Sequence, residues 1–266
     1  MTIAGTIALL TDFGNDDYFV GAMKGVILSV NPQAAIVDIT HNVRPQDIRS
    51  AAFTLSACRR DFPVGTIFVA VVDPGVGSER RAILAEAEGR FYVAPDNGLL
   101  SFVFEEAREN DEKIRVFELT NERFFRDQVS RTFHGRDIFA PVAAHLSKGV
   151  EPAEFGPEIS DFVVTPFVQP RKEGGRTEAE IIHIDRFGNL ITNLRPEELP
   201  ERFAITIGFH EVRRLVQTFS EAAHGEIVAM AGSAGYIEIA ANRGSAASLL
   251  DAETGNIVLV RELDKT

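Results

Sequence analysis

Short apolar runs alternate with amphipathic stretches along the first part of the chain. Runs of mostly β-branched and aliphatic residues predict strands at 6–11, 36–39 and 67–72. Apolar side chains at helical spacing predict a helix that stops at Asn31-Pro32, and a second helix is predicted to start near Asp47. This alternation favours an α/β fold with a mostly parallel sheet, right-handed crossovers and helices on both faces.

The pattern changes near residue 166. Pro166, Pro170 and the polar run 171–176 suit neither helix nor strand, so a linker is predicted at about 169–174. Beyond it, no long helix is indicated, and the β-rich runs are short. These runs are 179–184, 190–192, 203–208, 227–230, 236–239 and 257–260. We therefore predict an N-terminal α/β domain at 1–168 and a small C-terminal antiparallel β-barrel domain at 175–266.

Charge and composition narrow the function classes. The chain has 27 lysines and arginines against 39 aspartates and glutamates, a net charge of −12, and it lacks a dense basic run, which argues against a nucleic-acid partner. The longest apolar runs are strand-sized and the start does not resemble a signal peptide, so we expect no membrane span and a cytoplasmic location. Cys58 is the only cysteine, which excludes an intrachain disulfide and a cysteine-rich zinc site.

Polar residues follow the first predicted strand, and parallel sheets bind ligands at the carboxyl ends of their strands. Asp16 or Asp17 has the position of a helix cap, whereas Asp12 leaves the strand earlier and is expected to project from the edge of the sheet. The carboxylates lack the defined oxygen spacing of a hard-cation site, so no metal is predicted.

Two further segments of the first domain carry candidate chemistry. Asp73 follows the third predicted strand, and two interpretations are open. The segment is either a tight Pro-Gly turn with solvated charges, or Asp73 is a buried carboxylate that Arg80 keeps ionised. Its G-x-G spacing lacks the third glycine of a dinucleotide site. His134 is either a helix cap or packing residue, or a catalytic group. The segment 95–98 is interpreted as a structural turn.

The second domain offers a turn at 185–189. Hairpin geometry alone explains its glycine and asparagine, but Phe187 is unusual in a turn. Beside Asn189 it suits stacking on a flat heterocycle whose edge the amide reads, while a small satellite core is the alternative. The loops 232–235 and 242–245 consist of small residues and permit close approach of a ligand to the backbone.

Six segments of the chain carry a more specific signal: TDFGNDDYFVGAMKG, VDPGVGSERR, APDNGLL, FHGRDIFAPVAAHL, IDRFGNLITN and GSAGYIEIAANRGSAA. Together, in the same order from about residue 7 to the C-terminus, they resemble the S-adenosylmethionine hydroxide adenosyltransferases, relatives of fluorinating and chlorinating enzymes. The resemblance implies an N-terminal α/β domain, a C-terminal β-barrel, and a homotrimer with sites at subunit interfaces.

The implied reaction is hydrolysis of S-adenosyl-L-methionine by water or hydroxide at the ribose C5′, giving adenosine and methionine without a cofactor. By resemblance, the catalytic residues are Asp73, Arg80 and His134. The implied substrate contacts are Asp12 with the ribose, Asp17 and Ser233 with the methionine portion, and Phe187, Asn189, Asn242 and Arg243 with the adenine.

Two departures separate this chain from the halogenases that it resembles. They carry tyrosine where Asp73 stands, which favours water over halide here. They also carry arginine after the substrate-binding serine, whereas Ala234 follows Ser233, so the group that neutralises the methionine carboxylate is not identified. A halogenase and a non-catalytic module that binds adenosine or S-adenosylmethionine are the alternative functions.

Overall fold

The computed structural model describes residues 5–166 and 169–263. The chain divides into two compact units, Met1–Phe167 and Val168–Thr266, called unit 1 and unit 2 below. The predicted end of the first domain, residue 168, lies outside the described residues, as does residue 167. No helix in 5–166 or 169–263 is both long and apolar enough to cross a membrane.

Unit 1 is built around a seven-stranded sheet. Its strands are β1 (Thr6–Thr11), β2 (Ala35–Thr40), β3 (Ile67–Val71), β4 (Ala82–Ala87), β5 (Arg90–Pro95), β6 (Arg115–Glu118) and β7 (Glu158–Ile159). Its helices are α1 (Phe19–Val30), α2 (Ile48–Cys58), α3 (Ser101–Glu109) and α4 (Ala140–Ser147), with one turn of π-helix, Gly135–Phe139, directly before α4. Both helices predicted from the early pattern are present. The Asp47 side chain caps α2 by accepting a hydrogen bond from Ser50 N at 2.9 Å.

The sheet is only partly parallel, which corrects the prediction of a mostly parallel one. In the strand order β2-β1-β3-β5-β4-β6-β7, the pairs β1/β2, β1/β3 and β3/β5 are parallel, and the remaining three pairs are antiparallel. The change occurs where Glu88 and Gly89, both with positive φ, join β4 to β5 as a tight hairpin. So short a connection can join only antiparallel neighbours.

The core of unit 1 follows the alternation of side chains along β1. Ile7 and Leu9 belong to one buried cluster with apolar residues of α1 and α4, whereas Ala8 and Leu10 belong to a second cluster with residues of α2 and α3. All four are fully buried. Because the strands are packed in this way, their carboxyl ends, and the loops after β1 and β3, are held in fixed positions at one edge of the sheet.

Unit 2 is an almost entirely antiparallel β structure. Its strands are β8 (Arg171–Glu173), β9 (Arg176–Ile184), β10 (Leu190–Thr192), β11 (Phe203–Ile207), β12 (His210–Val212), β13 (Leu215–Val216), β14 (Ile227–Ala231), β15 (Ile237–Ala241) and β16 (Ile257–Glu262). A five-residue helix, α5 (Ala246–Leu250), follows β15. Among the strands at 169–263, only β13 and β14 pair in parallel.

Two predictions for unit 2 need correction. The strand order β12-β11-β16-β9-β10-β15-β14-β13 leaves β12 and β13 unpaired with each other in the described residues, so the sheet is a curled half-barrel, whereas a barrel was predicted. The predicted linker at 169–174 also contains β8, which pairs with β9 across a turn at Gly174 and Gly175. A short, fully exposed polar strand lacks the alternation by which strands are recognised in sequence.

Candidate active site

Asp73, Arg80 and His134 form one hydrogen-bonded group in unit 1. The Asp73 side chain is 5% exposed and that of Arg80 10%. The guanidinium of Arg80 donates from Nε to both carboxylate oxygens of Asp73 at 3.0 Å and from Nη2 to Oδ2, and the same Nη2 lies 2.9 Å from Nδ1 of His134. The Phe139 ring lies over the guanidinium, with 5.3 Å between Cζ and the ring centroid. The buried side chains of Asp73 and Arg80 and the partly buried His134, which is 54 positions from Arg80 in sequence, therefore form one polar cluster.

The turn that carries Asp73 and Arg80 is held from both sides. Asn97 donates from Nδ2 to the carbonyl of Val72 at 2.9 Å, just before Asp73. Gly77 has φ +77°, and a Cβ there would lie 2.2 Å from the carbonyl oxygen of Arg131, so the turn packs directly on backbone three residues before His134. Asp73 therefore lies in a turn, but its carboxylate is buried and bound by Arg80, so the alternative of a turn with solvated charges is not observed at this residue.

The contact with Arg80 decides the protonation of His134. A guanidinium can only donate, so Nδ1 of His134 must accept, and a neutral ring then carries its proton on Nε2. Burial lowers the pKa of His134, and the nearby positive charge of Arg80 lowers it further, outweighing Asp73 and Asp137, which raise it. His134 is therefore a neutral hydrogen-bond donor at neutral pH. It makes no side-chain cap to the helix that follows.

We expect the ring of His134 to titrate below its ordinary pKa of 6.5. Because the folded pKa is lower than the unfolded one, the group stabilises the fold above pH 6.5, and this contribution is lost as the pH falls through the folded pKa. Protonation also removes the acceptor for Arg80. An NMR titration of the histidine ring protons, with His134→Gln to assign the signal, measures this value. A midpoint at or above 6.5 contradicts the prediction.

Asp12 lies at the same edge of the sheet, after the neighbouring strand β1. Its Oδ2 accepts a hydrogen bond from Gln46 N at 2.8 Å, and Gly14 N donates to the carbonyl of His41 at 2.7 Å. These bonds join the loop after β1 to the loop after β2. Asp17, by contrast, is exposed, and Tyr18 occupies the cap position of α1 without a side-chain hydrogen bond, so the capping alternative for Asp16 and Asp17 is not observed.

In unit 2, the turn at 185–189 is organised by Asp185, whose importance the sequence did not indicate. Its Oδ1 accepts from the backbone N of Phe187 and of Asn189, and its Oδ2 accepts from Asn189 Nδ2, all at 2.8 Å. Gly188 (φ +82°) packs against Ser245, where a Cβ would lie 2.0 Å from Oγ. A carboxylate only accepts, so the Asn189 amide directs its NH₂ group toward Asp185, and its carbonyl oxygen is left for another donor.

Phe187 and Asn189 line a cavity of about 360 Å³ together with Asn242 and Arg243, the other two residues that the resemblance assigns to the adenine. Phe187 is 76% exposed, which contradicts the satellite-core alternative. Phe219, 42% exposed, lines the same cavity and was missed. Arg243 has φ +56°, an uncommon conformation for this residue type. The cavity thus has two solvent-exposed aromatic rings and polar groups beside them.

Ser233 is exposed in the tight loop between β14 and β15. In that loop, a Cβ on Gly232 would lie 1.9 Å from Oε1 of Glu238, whose pKa is raised by burial and by the nearby Asp185. Across 5–166 and 169–263, the histidine, cysteine and acidic side chains form no group suited to a metal ion.

The chain matches one family over both units. Residues 7–156 match the SAM hydroxide adenosyltransferase N-terminal domain and residues 179–259 the C-terminal domain of the same family. An (R)-S-adenosyl-L-methionine hydrolase from Thermus thermophilus is 40% identical over 94% of this chain and 96% of its own. A fluorinase from Actinoplanes sp. is 30% identical, over 96% of each chain.

A solved structure agrees with these matches. That of an uncharacterized conserved protein from Thermotoga maritima covers 96% of this chain and all of its own, with 35% identity and a TM-score of 0.89. The fold, the sequence motifs and the matches of both domains support the same family assignment. The chain belongs to the SAM hydroxide adenosyltransferase family.

Proposed function

We propose that this protein hydrolyses S-adenosyl-L-methionine. Water attacks the ribose C5′, the bond between C5′ and sulfur breaks with its electron pair passing to sulfur, and adenosine, methionine and one proton are released. The observation that carries the proposal is the hydrogen-bonded group of Asp73, Arg80 and His134, in a chain whose relative is named a hydrolase of this compound.

The residues suit water as the nucleophile. A sulfonium leaves as a neutral thioether, so no general acid is needed, and the enzyme has to hold water in line with the bond that breaks. Asp73 Oδ1 accepts from Nε of Arg80 and retains capacity to accept from water. A carboxylate here repels a halide ion but attracts a water proton, which favours hydrolysis over the halogenase alternative.

The other groups are assigned to the substrate. Neutral His134 donates from Nε2 and orients the water. Asp12 accepts from the ribose hydroxyls, because its carboxylate receives only the Gln46 amide among the described contacts. Asp17 and Ser233, both exposed, contact the methionine portion. No cofactor takes part in this mechanism.

The cavity of unit 2 binds the adenine. Phe187 and Phe219 offer exposed ring faces, and the carbonyl oxygen of Asn189 accepts from the exocyclic amine of adenine. Asn242 and Arg243 contribute the neighbouring wall. The pattern of two aromatic rings and one amide matches a flat heterocycle with a polar edge.

We expect Phe187→Ala and Phe219→Ala each to raise KM about 10- to 100-fold, since stacking of a base on an aromatic ring contributes about 1–3 kcal/mol. The value of kcat should change little, because adenine contacts are the same before and during reaction. Steady-state kinetics measure both constants. Phe209→Ala is the matched control, because Phe209 is fully exposed at the β11/β12 turn and is not among the residues that line the cavity. Unchanged KM in both cavity variants counts against the adenine assignment.

Three further expectations complete the proposal. Three copies assemble with sites at subunit interfaces, so that the adenine cavity of one copy serves the Asp73 group of another. The location is cytoplasmic. Helices cover both faces of the sheet in unit 1, which the two clusters on alternate residues of β1 support.

Incubation of the purified protein with S-adenosyl-L-methionine in ¹⁸O-water tests the function. Adenosine labelled at the 5′-hydroxyl and unlabelled methionine are expected by mass spectrometry. Intact substrate would indicate a binding module, and a 5′-halo nucleoside formed in the presence of chloride or fluoride would indicate a halogenase. Unlabelled adenosine despite turnover would contradict direct attack by water.

A further inference from the structure

We infer that Asp137 is a positioning residue for catalysis. It sets the geometry of the Asp73, Arg80 and His134 group through the backbone of residues 130–133, without contacting the three side chains. The inference rests on the proposed function for its effect on turnover, and on contacts of the described residues for its geometry. Asp137 follows His134 by three residues, in the π-helical turn, and it is fully buried.

The Asp137 carboxylate gathers donors from two segments. Oδ2 accepts from Ser130 N at 2.9 Å and from Nη2 of Arg136 at 3.0 Å, while Oδ1 accepts from Nε of Arg136 at 2.7 Å and, at 3.4 Å, from Nη1 of Arg126. Its backbone carbonyl accepts from Arg126 N at 3.0 Å. A single buried anion thus ties residues 126–130 to the start of the helix.

This attachment reaches both halves of the catalytic group. Ser130 precedes Arg131, and the carbonyl of Arg131 is the backbone against which Gly77 packs in the turn that carries Asp73 and Arg80. Phe133, on the other side of Arg131, accepts at its carbonyl from the backbone N of both Arg136 and Asp137, and His134 follows it. Displacement of residues 130–133 therefore changes the distance between Arg80 and His134 directly.

The carboxylate is required for its charge as well as its shape. Two guanidinium groups and one backbone N–H converge on it, and a group that only accepts can satisfy all of them. An amide in its place would direct an NH₂ group at Arg136 or at Ser130 N, so donor would face donor. Asp137→Asn therefore weakens the hydrogen bonds that connect residues 126–130 to the start of the helix, without altering the size of the side chain.

The test compares Asp137→Asn with Glu88→Gln. Glu88 is a matched control, because its carboxylate is also buried and is bound by two arginines, Arg59 and Arg60. It follows the end of β4, whereas Arg80 of the catalytic group precedes the start of that strand. We expect both variants to lose thermal stability, and only Asp137→Asn to lose kcat, by about 10- to 100-fold, with KM changed less than threefold. Equal kcat in the two variants would overturn the inference.

A second readout does not depend on turnover. In protein labelled with ¹⁵N-histidine, the Nδ1 resonance of His134 reports the hydrogen bond from Arg80, with His134→Gln for assignment and Arg80→Lys as the reference for a weakened bond. We expect this resonance to move toward the Arg80→Lys value in Asp137→Asn and to stay in place in Glu88→Gln. An unmoved resonance in Asp137→Asn overturns the geometric claim. A wild-type protein that releases no adenosine overturns the proposed function only, and the resonance then decides the role of Asp137.

Discussion

Asp73→Asn is expected to lower kcat for adenosine formation by about 10²- to 10⁴-fold, the range associated with loss of a positioned proton acceptor. The amide keeps the size of the side chain but removes the negative charge that, in the proposed mechanism, holds the attacking water. It also directs an NH₂ group at Arg80, which can only donate. The attacking water then loses its hydrogen-bond acceptor, and Arg80 loses the carboxylate that orients its guanidinium.

Substrate affinity should change little in this variant, because the groups assigned to ribose and adenine are unaltered. Isothermal titration with S-adenosyl-L-methionine measures it, and single-turnover product analysis measures the chemical step. Glu158→Gln is the control, since Glu158 also binds an arginine, Arg115, through two oxygens but is half exposed. Unchanged turnover in Asp73→Asn would remove Asp73 from the mechanism.

Arg80→Lys should be nearly as damaging as Asp73→Asn. An ammonium keeps the positive charge, but it cannot contact both Asp73 oxygens and His134 Nδ1 with the fixed geometry of a guanidinium. We expect kcat to fall at least 10²-fold. We also expect the Asp73→Asn/Arg80→Lys double variant to be far less impaired than the product of the two single effects, because the residues act as one unit.

Arg115→Lys provides the comparison for the arginine. Arg115 also binds a carboxylate and lies over an aromatic ring, that of Phe117, at 4.7 Å, but it is solvent-accessible. An exposed pair of this kind contributes about 1 kcal/mol or less to stability, so turnover should be unaffected. Kinetics of the four variants test the coupling, and additive effects of Asp73→Asn and Arg80→Lys would contradict it.

The early strands and helices could be predicted because each carries its own periodicity. Each of the six apolar runs named for unit 2 overlaps a strand, although 203–208 and 236–239 each extend one residue outside it. Helix α1 ends at Val30 and has Asn31 as its C-cap, directly before the proline that stops it. The antiparallel half of the first sheet could not be predicted in the same way. Its direction depends on the Glu88-Gly89 turn, and those residues adopt positive φ without the Asn-Gly signal of a tight hairpin.

The site could be predicted where strand ends determine it. Asp12 and Asp73 follow neighbouring parallel strands, so their position at one edge of the sheet follows from the fold. The bond between Arg80 and His134 joins residues 54 positions apart, and no local pattern contains it. Phe219 was missed because it lies in a Thr-x-x-Glu capping box, a pattern that indicates local structure and not ligand binding. The role of Asp185 was missed because it was interpreted only as part of a turn.

The cavity lined by Phe187 and Phe219 has a consequence for regulation by mass action. The proposed contacts with adenine are to the part of the substrate that the reaction leaves intact, so the same contacts would also hold the product nucleoside. Under the proposed function, adenosine competes with the next substrate molecule. The concentration of adenosine would then limit the rate, and an enzyme that consumes adenosine would sustain turnover.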